Sequence, residues 1–427
     1  MSNRLPDVTR RRFLTWSGVA AAAVGLTAGA TQVPWSALLD GATHTPLQPG
    51  QGVLVVVTLY GGNDGLNTVV PASDDTYQAD RHELAYQPSE VLDVGQGLGL
   101  NPGLAGTKGL FDDGHVAIVR GVGYPEPDHS HFRSMAIWQT ASPGSPTGAG
   151  WLGRWLDGTG EDPLRAVSMD SVLPPLLTGA STAASTLPAA GLSLPTGPTG
   201  VAFRALAGVD PGDDVLRARV ARSGRDLAQV EQVLGPTLAA SRSRSAGASG
   251  NDAGAAAGNP AGGGKHSQLA DQLATVAALV EARVPTRVYS VSLGGFDTHA
   301  DERGTQQRLL AELDAALTPF VARLGTTDVG RQVVTMVYSE FGRRVLANAS
   351  QGTDHGTANP VFLLGAPVVG GLYGEQPSLT DLDAGDLRAS TDFRDVYATV
   401  LGGVLGEDPG RVLGPGRTPL PGVLANT

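Results

Sequence analysis

The chain has 427 residues, 41% of them hydrophobic and 17% charged, with 59 glycines, 29 prolines and no cysteine. Domains hold roughly 100–200 residues, so this length suits one large α/β domain with insertions, or two domains. The missing cysteine excludes a zinc ribbon, an iron–sulfur cluster, a thiol nucleophile and a disulfide scaffold, and the net charge of −11 argues against nucleic acid as a partner.

The chain begins with an address. Thr9-Arg10-Arg11-Arg12-Phe13-Leu14 precedes an apolar run from Trp16 to Ala30 that ends in the small residues Ala28-Gly29-Ala30. A basic segment, a short apolar stretch and a small-residue site make a secretory signal over residues 1–30. The run is shorter than the ~20 residues a spanning helix needs. Arg10-Arg11 followed by Phe13-Leu14 resembles the twin-arginine export signal. The expected location is the periplasm, the cell surface or the medium, with membrane contact only through this segment if it stays uncleaved.

Strands and helices alternate after that. Val53–Leu59 is a continuous β-branched run ended by Gly61-Gly62, the pattern of a strand buried on both faces. Val116–Val119 is another, and Ser130–Thr140 reads as a helix after the turn Pro125–Asp128. Gln268–Ala282 carries Leu269, Leu273, Val276 and Leu279 at helical spacing, and the strand Val288–Leu293 follows Pro285. A helix is predicted over Thr305–Leu324, then strands over Gln332–Tyr338 and Pro360–Gly365. The expected fold is α/β, a mainly parallel sheet sandwiched by helices. Two stretches interrupt it. Gly179–Gly200 reads as an exposed loop, and Ser241–Gly264 is too poor in apolar surface to order itself. Between them Asp214–Leu234 reads as a polar helix. The expected organisation is a core of 50–150 and 267–427, with 151–266 as a loop-rich helical insertion containing the flexible linker 241–264.

Polar clusters fall where strands end, which is where open α/β sheets bind ligands. They are Tyr60–Asn67, Asp128–Arg133, Gly294–His299, Ser339–Arg344 and Thr353–Thr357. Five of the eight histidines (His82, His129, His131, His299 and His355) lie in or near them beside acids. Histidines and carboxylates converging on one sheet edge form a site for a divalent metal such as Zn²⁺ or Mn²⁺. Ser130 stands at a helix start, where free N–H groups favour a developing anion; Ser134 and Thr68 compete with it as nucleophile. Arg133, one helical turn from Ser130, and Arg343 are expected to clamp an anionic ester. Arg344 reads as solvated.

In this order LVVVTLYGGNDGLNTVVP, DHSHFRSMAIWQ, GGFDTHADE, VYSEFGRR and DHGTANPVFLLGAP resemble the exported domain-of-unknown-function family 1501. That family is similar to a distant branch of the alkaline phosphatase and sulfatase superfamily. The resemblance implies an alkaline-phosphatase-like core with Asp64, Asp297, His299, Glu340 and His355 as metal ligands and Ser130 as nucleophile. It differs from the superfamily in two places: Glu340-Phe341 stands where Asp-His is usual, and Asp297 and His299 are two apart rather than four. One metal is therefore favoured over two, with Zn, Mn or Ca as the candidate ion.

The resulting expectation is an exported, metal-dependent hydrolase of phosphate or sulfate esters acting on a small anionic substrate. The alternative is a phosphatase-like protein that has lost catalysis and binds an envelope protein partner.

Overall fold

Every residue of β1 (Val53–Leu59) is buried, as its unbroken apolar run requires. Its side chains divide by parity: Val53, Val55 and Val57 enter one apolar layer, Leu54 and Val56 the other. The computed structural model describes residues 31–32, 45–146, 148–160, 162, 164–187 and 267–425. The export segment, the Asp214–Leu234 helix and the 241–264 linker expected from the sequence lie outside them.

The neighbours of β1 are β5 (Val288–Leu293) and β6 (Val333–Ser339), both parallel to it. Beyond β5 come β3 (Ala166–Ser168), β4 (Ser185–Thr186) and the two-residue strand Thr31–Gln32, all parallel. On the far side of β6 lies β9 (Asn359–Leu364), antiparallel to it and to β2 (Val116–Gly123). Two short strands, β10 (Gly371–Tyr373) and Thr391–Asp392, run parallel to β2 on the outside. The expected α/β class with a mainly parallel central sheet is what the coordinates show; β9 is its antiparallel member.

Helices cover both faces. On one side α5 (Gln268–Glu281) and α6 (Glu302–Gly325) bury Leu273, Val276, Leu310, Leu313 and Leu317 at 3–4-residue spacing. On the other, α3 (His131–Thr140), α4 (Trp151–Asp157) and α7 (Phe393–Val400) pack aromatic residues. There the Trp151 and Tyr397 rings stack 4.2 Å apart.

The expected boundary at residue 151 is corrected by this arrangement. Trp151, Leu152, Trp155 and Leu156 of α4 belong to the same apolar layer as α3, and β3 and β4 extend the central sheet. The described part of 151–187 is core, because its short apolar runs find a free sheet edge beside β5. The loop expected from Gly179 likewise contains the buried Ala184 and strand β4.

Because β1, β2, β5 and β6 point the same way, their carboxyl ends share one edge. A hairpin, β7 (Arg343–Ala347) and β8 (Thr353–His355), rises beyond β6 and sets Arg343 directly opposite His355. No helix among the described residues is long and apolar enough to cross a membrane.

Candidate metal centre

Three imidazoles face one carboxylate oxygen. Asp297, two residues past the glycines that end β5, has its Oδ1 3.0 Å from His299 Nε2, 3.3 Å from His131 Nε2 and 3.3 Å from His355 Nε2. His131 opens α3, His299 follows β5, and His355 ends the β7–β8 hairpin, so three separate connections meet here.

Each ring is turned by a partner on its other nitrogen. His131 Nδ1 lies 2.9 Å from Glu340 Oε1, and His355 Nδ1 lies 2.7 Å from the His129 carbonyl. His299 Nδ1 is 3.7 Å from Asp354 Oδ1, an ion-pair rather than a hydrogen-bond distance. With a proton on Nδ1, an imidazole presents its Nε2 lone pair inward, the arrangement metal-binding histidines use. Burial, and the Arg343 and His131 charges nearby, lower His355 below the ordinary imidazole range, which keeps it unprotonated. The hydrogen bond that His131 donates to Glu340 pulls its own pKa upward.

A cation fits this group. His131 Nε2 is buried without a hydrogen bond, and His299 Nε2 stands only 2.9 Å from His355 Nε2. Metal–nitrogen bonds of roughly 2.0–2.1 Å place neighbouring ligands about 3 Å apart, as the His299 and His355 nitrogens are. His131, Asp297 and His355 together form a potential metal-holding group. Asp297 and His299 remain half-exposed, which leaves the centre an open face.

The remaining candidates have other work. Glu340 is buried; its Oε1 accepts the Gly61 N–H at 2.9 Å besides facing His131, and its Oε2 accepts the Ser339 hydroxyl at 2.9 Å. Burial alone would raise its pKa, but these hydrogen bonds hold it below the ordinary range. Glu340, expected as a ligand, lies behind the His131 ring and orients it toward Asp297. Asp64, also expected as a ligand, is fully buried and paired with both terminal nitrogens of Arg81. A guanidinium stands where a metal ion was anticipated.

Arg343, expected to clamp an ester, is turned toward backbone carbonyls. Its side chain is buried, with Nε on the Gly62 carbonyl at 2.7 Å, Nη1 on that of Thr353 at 2.9 Å and Nη2 on that of Phe296 at 3.0 Å. Nη2 also contacts the Gly61 carbonyl and donates to Asp297 Oδ1 at 2.8 Å. Those contacts engage every donor of the planar fork except the one aimed at His299 Nε2, 3.5 Å away. For Asp297, burial works upward, yet the Arg343 hydrogen bond and charge pull it down to about 2. Arg133 pairs with Asp128 at 3.1 Å and pins the turn before α3, so its expected grip on the ester is also unsupported. Arg344, read as solvated, pairs with the buried Asp386 at 3.2 Å.

The three hydroxyls separate cleanly. Ser134 is buried between Tyr124 and the Glu340 carbonyl, and Thr68 is buried against the Asp64 carbonyl. Ser130 is exposed at the N-cap of α3 and makes no capping hydrogen bond through its side chain.

Close backbone approach explains Gly61. Its φ is +116°, and a Cβ there would lie 2.4 Å from the Asp297 nitrogen. A side chain at that position would push the Asp297 loop away from the histidines.

His131 stands among the clustered histidines of the sequence, but the ligand set implied by the family resemblance omits it. The available signal was its place in the polar cluster Asp128–Arg133 at the sheet edge. Glu340→Gln is expected to weaken metal binding about 10–100-fold while the fold persists, since the amide still fills the space but no longer anchors His131 with a charge. A competition titration against a coloured chelator measures this, and an unchanged affinity would remove Glu340 from the orienting role.

The family model for a protein of unknown function, DUF1501, matches residues 52–415. No curated protein matches the chain. Among solved structures, it is similar to a protein in the alkaline phosphatase superfamily from Vibrio parahaemolyticus, at 10% identity and a TM-score of 0.38, over 89% of this chain and 77% of that one.

Proposed function

We propose that this chain, which belongs to the DUF1501 family, is an exported metal-dependent hydrolase of phosphate or sulfate esters. The observation that carries the metal part is the convergence of three Nε2 atoms on Asp297 Oδ1, two of them with a hydrogen-bonded partner behind the ring. Three imidazoles and a carboxylate suit Zn²⁺ best, with Mn²⁺ next; Ca²⁺ prefers a shell of oxygens alone. The ester class and the export route rest on the sequence motifs.

His131, His299, His355 and Asp297 would hold the ion. A bound divalent cation supplies Lewis-acid polarisation of the ester and neutralises charge that develops on its oxygens. Glu340 and the His129 carbonyl keep two of the imidazoles from turning, so the site is preorganised. Ser130 offers the exposed hydroxyl, in the residue just before His131, for attack on phosphorus or sulfur. Its oxygen forms the new bond, its proton passes to solvent or base, and the ester's alcohol leaves; water then releases the acid.

Protein purified without chelators is expected to carry about one equivalent of zinc or manganese, and His355→Ala less than about a tenth. Elemental analysis decides this. Ser130→Ala should keep the metal and lose turnover of nitrophenyl phosphate or sulfate. Metal bound at full occupancy with no turnover of any ester would favour the binding-protein alternative.

A further inference from the structure

Helix α3 carries more than one histidine of the candidate centre. His131, Phe132, Met135, Ala136 and Gln139 line one cavity of about 580 Å³, beside Asp297. Their spacing of three and four residues puts them on a single helix face. At 1.5 Å of rise per residue, the face from His131 to Gln139 is about 12 Å long. Pro146, in the connection after α3, and Pro175 complete the lining from two other segments. The cavity thus has a reactive end, where His131 and Asp297 stand, and an apolar stretch that leads away from it along the helix.

A lone exposed apolar side chain is ordinary on a protein surface. Phe132 is not alone: 91% exposed, it follows His131 directly and shares the cleft with the buried Met135. Proline has no N–H to donate. The Thr140 hydroxyl, also in the lining, already donates to the Ala136 carbonyl at 2.7 Å. A substituent rich in hydroxyls would give up water here and find few partners in exchange. An apolar one would cover Phe132 and Met135, and the flexible thioether adapts to its outline. Small-molecule sites span about 300–1,000 Å³, so a bare phosphate or sulfate would leave most of this space empty. A face about 12 Å long holds a ring system, whereas a long acyl chain would overrun it.

Resting on the ester-hydrolase reading, we infer that the ester carries a ring-sized apolar substituent seated along α3 against Phe132 and Met135, with its anionic head at the histidines. Phe132 and Ala136 then set specificity, the first by offering a ring face and the second by leaving room. Hydrolysis adds one water across the ester bond and releases the apolar alcohol together with phosphate or sulfate.

The test is calorimetric titration of the protein as purified, its metal content measured alongside, with 1-naphthyl phosphate and with methyl phosphate. Naphthyl phosphate is expected to bind at least about tenfold more tightly. The neutral 2-naphthol should bind too, because the cleft and not the anion holds the ring. Phe132→Ala should cut the naphthyl-to-methyl ratio about threefold or more, and Ala136→Leu, which fills the cleft, should bring it near unity. Naphthyl phosphate binding no tighter than methyl phosphate, or a ratio that neither substitution moves, would overturn the inference; turnover of methyl phosphate would then leave the hydrolase standing. Dodecyl phosphate binding more tightly than naphthyl phosphate would make the occupant a lipid chain and also overturn it. Tight naphthyl phosphate binding, with no turnover of naphthyl phosphate or naphthyl sulfate, would sustain the ligand class and sink the hydrolase reading. Where turnover occurs, the faster of those two probes identifies the anion.

Discussion

Arg343→Ala is expected to lower the unfolding free energy by about 4 kcal/mol or more, and to abolish metal binding with it. The guanidinium joins carbonyls from the connections after β1 and β5 to the β7–β8 hairpin, through Gly61, Gly62, Phe296 and Thr353. Truncation leaves several of these oxygens unpaired, and each buried orphan costs about 1–3 kcal/mol. Phe296 is the partial exception, since its carbonyl keeps the Thr298 N–H at 2.9 Å. Asp297 would lose its only full positive neighbour within 3 Å among the described residues, and its ordered position beneath the histidines. Arg343→Lys should recover little, because a point charge with tetrahedral donors cannot reproduce a planar fork serving three loops. Urea unfolding and zinc titration of both variants provide the measurements. A stability within about 1 kcal/mol of the parent and an unaltered zinc affinity would show that the loops are held some other way.

Arg343 also marks the limit of what the sequence discloses. Strand β1 was legible because an uninterrupted β-branched run between glycines has few places to go except a buried sheet. The helices α5 and α6 were legible from apolar spacing, and the strand ends were legible as the reactive edge. What spacing does not reveal is which charged side chain turns inward. Arg343 is expected to face an ester and Arg344 solvent, yet Arg343 is only 1% exposed and paired across the sheet edge. Asp64 illustrates the same limit: its position after β1 was right, but Arg81, seventeen residues along, decides what it does. The pairing of Glu340 with His131 joins residues 209 apart, so only the folded chain reveals it. Asp297, His299 and His355 could be anticipated together because each follows a readable strand or turn beside another acid.

The Arg81–Asp64 pair carries the second large effect, with Arg81→Leu expected to cost about 3–5 kcal/mol by stranding a buried carboxylate. Arg81 also donates to the Val345 carbonyl at 2.7 Å and the Arg344 carbonyl at 2.8 Å, so it ties the β1 loop to the β7–β8 hairpin. Removing both charges, as in Asp64→Leu with Arg81→Leu, should cost less than Arg81→Leu alone. Acid dependence follows from two opposed groups. For Asp64, burial works upward, but Arg81 holds the folded value below the ordinary one; its stabilising contribution is complete above pH ~4 and fades as the pH falls through the folded value. Glu302 behaves oppositely. Burial, and then the Asp64 charge, push it well above its ordinary 4.5, so the folded chain holds a proton there. The stability this proton brings is fully present below 4.5 and is lost as the pH rises through the raised folded value. Glu302→Gln keeps the shape and a donor toward Asp64, and it has no proton to lose. Its unfolding free energy should therefore match or exceed the parent's at about pH 8, with a flatter slope between about pH 5 and 8. Urea unfolding at those two conditions measures the slope. Parallel profiles for parent and variant would mean that Glu302 is ionised in the fold, and that the Asp64–Arg81 pair stands without a shared proton.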